Sequence, residues 1–386
     1  VVVLLAAFFI ATVDLTRDSL WNDEGWTAWA VQSPYLADML ARVRADVHPP
    51  LYFLLLDGWT RVAGDSVYAL RLLSVLLGMV GLAATYAVGR QLVDRTTGLI
   101  GLVILGTASF FVYYTREARM YTLLLALGAL ATWVYLSWRA RPMGRRAIAY
   151  GLLLAALLYT HYAGALVIVT HLLHVGALAI FARRSRQRRQ MLKRPAAERD
   201  KPTKGTGRYV SAVRRLWTVV IPYGLAFLIY LPWLPIFLSQ MRANPNGPLA
   251  IPVATDWSAV AALVLILVGG SWWLYVVPFA LGGAIPKLRQ YGSGVLLLAL
   301  WLLVTPMALL ALNAWVAPVY QVRYAIALLP AGALLVAYGL RWVGIPDGWL
   351  KNRIRRGVIY HALTVNRAII GLLLLLMVVN QLTIYP

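Results

Sequence analysis

Apolar runs of about 18 residues or more recur along this chain, each long enough to cross a hydrocarbon core of about 30 Å as a helix. A backbone in lipid must satisfy its own hydrogen bonds, which leaves helices or a closed barrel. A barrel would show alternating segments of about ten residues, and the sequence has none. Only 13% of the residues are charged, against about one quarter in soluble domains. The expected fold class is therefore all-α, a polytopic transmembrane helical bundle. The chain has no cysteine, which excludes disulfides and thiolate metal sites.

Hydropathy predicts about eleven spans, roughly 1–13, 70–90, 97–114, 120–138, 147–162, 163–182, 216–240, 258–282, 294–313, 324–344 and 368–384. The net charge of +22 would suit a nucleic-acid binder, but its distribution follows the positive-inside pattern instead. With the 14–69 loop outside, the inside loops hold 27 of the 36 Lys and Arg, while ten of the 14 acids lie outside. The basic residues then face anionic lipid headgroups, and no nucleic-acid partner is expected.

The first apolar run, 1–13, is too short to span, and we expect the start of its helix to be missing. The 14–69 loop is acidic and rich in tryptophan, as suits a segment in the headgroup zone. Its apolar residues recur at three- and four-residue spacing. This predicts interfacial helices broken at Ser33-Pro34. The 183–215 segment carries 13 basic residues and reads as a solvated cytoplasmic loop. Glycines from 81 to 89 and from 98 to 101 suit close contacts between helices.

Candidate chemistry gathers on the outside. Asp23 and Glu24 follow the first span, and neighbouring side chains on a helix point about 100° apart. One can face a reacting hydroxyl as a general base while the other meets a cation or basic partner. The competing reading is a pair of solvated loop acids. His48-Pro49-Pro50 could bring a histidine to a phosphate or a metal, or simply end a helix. Arg116-Glu117-Ala118-Arg119-Met120-Tyr121 forms a short turn between spans, where two arginines are costly unless used or paired. Arginine forks onto phosphate through parallel hydrogen bonds, and Glu117 could orient one of the two. The alternative is interfacial snorkelling. His161 and Tyr162, in Tyr159-Thr160-His161-Tyr162, and Arg323-Tyr324 lie at further outside ends. His171 and His174 read as packing residues, and Arg71 as a local partner of Asp65.

These pieces, with Ala69-Leu70-Arg71 and Leu328-Leu329-Pro330, stand in an order that resembles one family. It is that of the bacterial GT-C membrane glycosyltransferases related to protein O-mannosyltransferases and to the lipid A aminoarabinose transferase. The resemblance covers about the whole chain, read as one GT-C transmembrane domain over 1–386. It implies a polyprenyl-phosphate sugar donor, an acceptor lipid, glycan or protein, and inversion at the anomeric carbon. It implies the bacterial inner membrane, with the active site on the extracytoplasmic face. Asp23 and its neighbour Glu24 would be the catalytic acids. Arg116, Arg119 and Arg323 would hold the donor phosphate, and His48, Glu117, Tyr121, His161, Tyr162 and Tyr324 would line the site. Some relatives use a divalent cation (Mg, Mn or Zn), for which Asp23, Glu24 and His48 are the ligand candidates. Relatives often continue into a soluble extracytoplasmic domain, which we expect to be missing here. The competing class, a transporter or flippase of lipid-linked substrates, would favour broken helices and charges near the midplane. A membrane scaffold would give no reason for an acid pair, a histidine and an Arg-Glu-x-Arg turn on one side.

Overall fold

The computed structural model describes residues 1–193, 220–243, 288–315 and 321–342. Among them every regular element is helical. α1 (Val2–Thr12) leads into three short helices, α2 (Asn22–Val31), α3 (Leu36–Ala45) and α4 (Leu51–Ala63). The expected break at Ser33-Pro34 falls between α2 and α3. α4 starts after the Pro49-Pro50 pair and ends at Gly64, whose φ of 82° is a conformation that favours glycine. The long helices follow: α5 (Val67–Leu92), α6 (Arg95–Gly106), α7 (Ser109–Thr115), α8 (Tyr121–Ala140), α9 (Gly144–Thr160) and α10 (Gly164–Lys193). Ser66 caps α5 by accepting from the Ala69 N–H, and Asp94 caps α6 by accepting from the Thr97 N–H.

Six described helices are long and apolar enough to cross a membrane: Val67–Leu92, Tyr121–Ala140, Gly164–Ser185, Val220–Arg242, Gln290–Leu312 and Arg323–Arg341. α6 and α7 make a seventh if their pair, bent by 65°, is one span. The protein is a multi-pass membrane protein. Several expectations change in detail. The predicted span 97–114 is this bent pair, and 147–162 is α9, a helix of 17 residues. The loop expected at 183–215 begins as helix, because α10 continues to Lys193. The spans expected at 258–282 and 368–384 lie outside the described residues.

α5 is the central post, packed on α6 and on α8, while α8 also packs on α9 and the Leu329–Trp342 helix on α6. Small residues allow this closeness. A Cβ on Gly98 would sit 2.7 Å from the Tyr86 carbonyl oxygen, and one on Gly89 would sit 2.9 Å from the Gly98 Cα. Between α8, α9 and α10 lies a buried polar network. His171 Nε2 meets Thr132 Oγ1 at 3.1 Å and its Nδ1 meets the Tyr150 hydroxyl at 2.8 Å. His174 Nδ1 meets the Tyr135 hydroxyl at 2.7 Å, and its Nε2 meets the Ser293 carbonyl at 2.9 Å. Both histidines are thus helix-contact residues.

Candidate active site

The start of α5, the turn between α7 and α8, the junction of α9 and α10 and the 3₁₀ segment Val322–Leu328 contribute to one end of the bundle, together with α2. α2 brings the acid pair there in its first turn. Its two carboxylates point to different partners, as the angular spacing requires.

Glu24 is completely buried. Its Oε1 accepts from Arg71 Nε at 2.9 Å and from the Ala118 N–H at 2.8 Å. Its Oε2 accepts from Arg71 Nη2 at 2.7 Å and from the Trp21 N–H at 3.4 Å. Arg71 completes its fork on main-chain oxygens. Nη1 donates to Leu15 at 2.8 Å and Asp18 at 2.9 Å, and Nη2 to Ser19 at 3.1 Å. All five N–H donors of the guanidinium are thus engaged. This corrects two expectations. Arg71 does not pair with Asp65, which is exposed and lies before the start of α5. Glu24 is locked into a structural clamp, where it is not placed to meet a substrate.

Asp23 is the half-buried acid of the pair. Its Oδ2 accepts from Arg323 Nη1 and lies 3.9 Å from Arg119 Nη2. Arg119 Nη1 donates to the Asp23 carbonyl at 3.2 Å and to Thr27 Oγ1 at 2.9 Å. Arg119 Nη2 stands 3.5 Å from His48 Nε2, while His48 Nδ1 meets Asp46 Oδ2 at 2.7 Å. Burial holds His48 below the ordinary imidazole range, against the pull of Asp46. Burial also pushes Asp46 up, but the bond to His48 and its charge outweigh this and leave the carboxyl below its ordinary value. Arg323 lies 5.7 Å from the centre of the Tyr121 ring, whose centre is 6.4 Å from that of His161. The Tyr324 ring packs edge-on against His161 at 4.5 Å, and His48 is 5.9 Å from His161.

Asp23, His48, Arg119, Tyr121, His161, Arg323 and Tyr324 therefore converge as the sequence suggested. Two others do not. Arg116 Nη2 donates to the Asp14 carbonyl at 2.7 Å, where the chain turns out of α1 at a positive φ of 51°. The Tyr162 hydroxyl donates to Gln240, which in turn donates to the Val43 and Arg44 carbonyls, so Tyr162 ties the Val220–Arg242 span to α3. Asp46 and Thr27 belong to the site and were missed. Asp46 could have been suspected from its place two residues before His48.

Glu117 is 6% exposed and bonds to Tyr113. Burial, with Glu24 nearby, raises its carboxyl to about 7. Among the described residues its Oε2 has no hydrogen-bond partner, and neither do the buried Arg119 Nε, Tyr121 hydroxyl and His161 Nε2. Buried polar atoms are nearly always bonded. All four lie on residues at this end of the bundle.

The residues offered as cation ligands are not gathered as a ligand set. Both Glu24 oxygens accept hydrogen bonds, Asp23 faces two guanidinium groups, and among the described residues no group of three or more His, Asp and Glu could hold a metal ion. The donor set fits an anion between arginines better than a divalent cation.

Residues 47–196 match the family model described as dolichyl-phosphate-mannose-protein mannosyltransferase. A search of curated proteins finds no match. Among solved structures, the fold is similar to ArnT from Cupriavidus metallidurans bound to undecaprenyl phosphate, with a TM-score of 0.60 at 14% identity. That likeness covers 93% of this chain and 62% of ArnT, so the chain spans less than two thirds of that protein. It is also similar to the Archaeoglobus fulgidus oligosaccharyltransferase AglB in complex with an inhibitory peptide and a dolichol-phosphate. Here the TM-score is 0.54 at 12% identity, over 98% of this chain and 54% of AglB. The Archaeoglobus fulgidus oligosaccharyltransferase in complex with Zn and sulfate gives a TM-score of 0.52 at 15% identity, over 98% of this chain and 53% of that one. The fold is the GT-C fold, and the resemblance read from the motifs is met by the family model and the architecture alike.

Proposed function

We propose that this chain is the membrane domain of a glycosyltransferase that takes a sugar from a polyprenyl-phosphate donor and passes it, with inversion, to an acceptor lipid, glycan or protein. The observation that carries this reading is the Asp23 carboxylate set between Arg323 and Arg119 at one end of a GT-C bundle. The family model over 47–196 and the lipid phosphates named with ArnT and AglB support it.

In this mechanism the donor's tail lies against the helices and its phosphate enters beside Arg119 and Arg323. Negative charge grows on that phosphate as the bond to the anomeric carbon breaks, and preorganised guanidinium groups lower the barrier. Asp23 takes the proton of the attacking hydroxyl or amine. His48, held by Asp46, and Tyr121, His161 and Tyr324 shape the walls. Arg116 and Glu24 act at a distance by holding the first loop. We put this end on the extracytoplasmic face, which the loop charges support, and in a bacterial inner membrane, as the family resemblance implies.

The test is transfer from a panel of radiolabelled polyprenyl-phosphate sugars, in membranes carrying this protein, comparing wild type with Asp23→Asn. Label reaching lipid or protein only with wild type supports the transferase. No transfer from any donor, with lipid-linked sugar crossing reconstituted vesicles, would replace it with a flippase.

A further inference from the structure

Of the four acids at this end of the bundle, Asp46 holds His48 and two have their arginine. Asp23 has Arg323 and Arg119, and Glu24 has the whole fork of Arg71. Glu117 has none. It is buried, its only side-chain hydrogen bond among the described residues comes from Tyr113, and its Oε2 is without a partner. The neighbouring Arg119 is turned toward Asp23, Thr27 and His48, with its Nε left over. A buried carboxyl with no arginine bonded to it, beside two acids that each hold one, is a poor place for negative charge and a good one for a proton.

The charges that face Glu117 come from every side. They are Glu24 on α2, Tyr52 on α4, Arg71 on α5, Tyr113 and Tyr114 on α7, Arg119 in its own turn and Arg323 in the 3₁₀ segment. Protonation of Glu117 takes one negative charge away from the end of the bundle where Arg119 and Arg323 would meet an anion.

Resting on the proposed donor, we propose that Glu117 takes up one proton from bulk water when the lipid phosphodiester binds, and that its Oε2–H then donates a hydrogen bond to a phosphate oxygen. Binding of the anion and binding of the proton are linked, so each favours the other. The free carboxyl sits at about 7, so it is mostly ionised at pH 8 and mostly protonated at pH 5.5. Uptake is therefore expected at pH 8 and not at pH 5.5.

The experiment is titration calorimetry of the detergent-purified full chain with a polyprenyl phosphate methyl ester, repeated in buffers of different ionisation enthalpy. This diester keeps one charge at every pH used, so the ligand contributes no titration of its own. Wild type should take up close to one proton at pH 8, and its affinity should weaken toward tenfold per pH unit above about 7. Glu117→Gln should bind without uptake and with a flat pH profile, and Glu117→Asp should restore the uptake. Infrared difference spectra of wild type should show a protonated carboxyl band gained on binding at pH 8, whatever the variants do. Unchanged uptake in Glu117→Gln, or tight wild-type binding at pH 8 without uptake, overturns the role of Glu117 and leaves the donor reading standing. No wild-type binding at any pH overturns both.

Discussion

Glu24 and Arg71, 47 residues apart in sequence, meet through two parallel hydrogen bonds of 2.9 and 2.7 Å, both groups buried. A buried pair is costly to break because the survivor keeps its charge without a partner. Here the loss spreads further, since Arg71 also ties down three main-chain oxygens of the first loop. We predict that Arg71→Ala lowers stability by about 3–5 kcal/mol. Thermal unfolding in detergent checks this, and a melting temperature within a degree of wild type would refute it.

Asp23 is expected to behave in the opposite way. It is half-buried and faces two guanidinium groups that have other partners. Asp23→Asn should reduce sugar transfer by roughly 10²–10⁴-fold. Its melting temperature should move far less than that of Arg71→Ala. Full turnover in Asp23→Asn would remove it from the mechanism.

Glu117 makes stability depend on pH. Its folded carboxyl sits at about 7 and its unfolded one near 4.5. The raised value favours the fold below 4.5, and that advantage is lost as pH rises toward 7. Glu117→Gln, which cannot ionise, should therefore be more stable than wild type at pH 8, by on the order of 3 kcal/mol. At pH 4 the two should be alike. Melting curves at both pH values decide it, and an equal gap at each would rule the ionisation out.

Gly98 tests the packing of α5 on α6. A methyl group there would meet the Tyr86 carbonyl oxygen at 2.7 Å and the Arg90 nitrogen at 3.0 Å, main-chain atoms that cannot swing away. Gly98→Ala should cost about 1–3 kcal/mol, read as a lowered melting temperature. Gly144→Ala, where nothing lies within 4 Å, is the control and should be neutral.

The helical bundle was legible because lipid imposes one rule on every span. The convergence of Asp23, Arg119 and Arg323 also followed from short motifs at span ends. What could not be read was the division of labour between adjacent residues. Asp23 and Glu24 look alike in sequence, and only the reach of Arg71 from α5 shows that one is fixed and the other available. Arg116 and Arg119 likewise differ by less than one helical turn, yet one ends on the Asp14 carbonyl and the other beside Asp23. Such choices depend on long-range contacts, which hydrophobic period and charge do not encode. The bend after α6 escaped for the same reason, because its apolar residues run on across it.

The two buried histidines have a consequence of their own. Thr132 gives its proton to the Gly128 carbonyl, so His171 Nε2 must donate to Thr132, and Nδ1 must accept from Tyr150. Tyr150 in turn must accept from Tyr223. In the second chain Arg139 donates to Tyr135, Tyr135 to His174 Nδ1, and His174 Nε2 to the Ser293 carbonyl. Both chains run in one direction and stop at a main-chain oxygen that cannot pass a proton on. A row of tyrosines and histidines within a membrane bundle looks like a wire for protons. Here both chains end on a main-chain oxygen, so every donor along them has its acceptor inside the bundle.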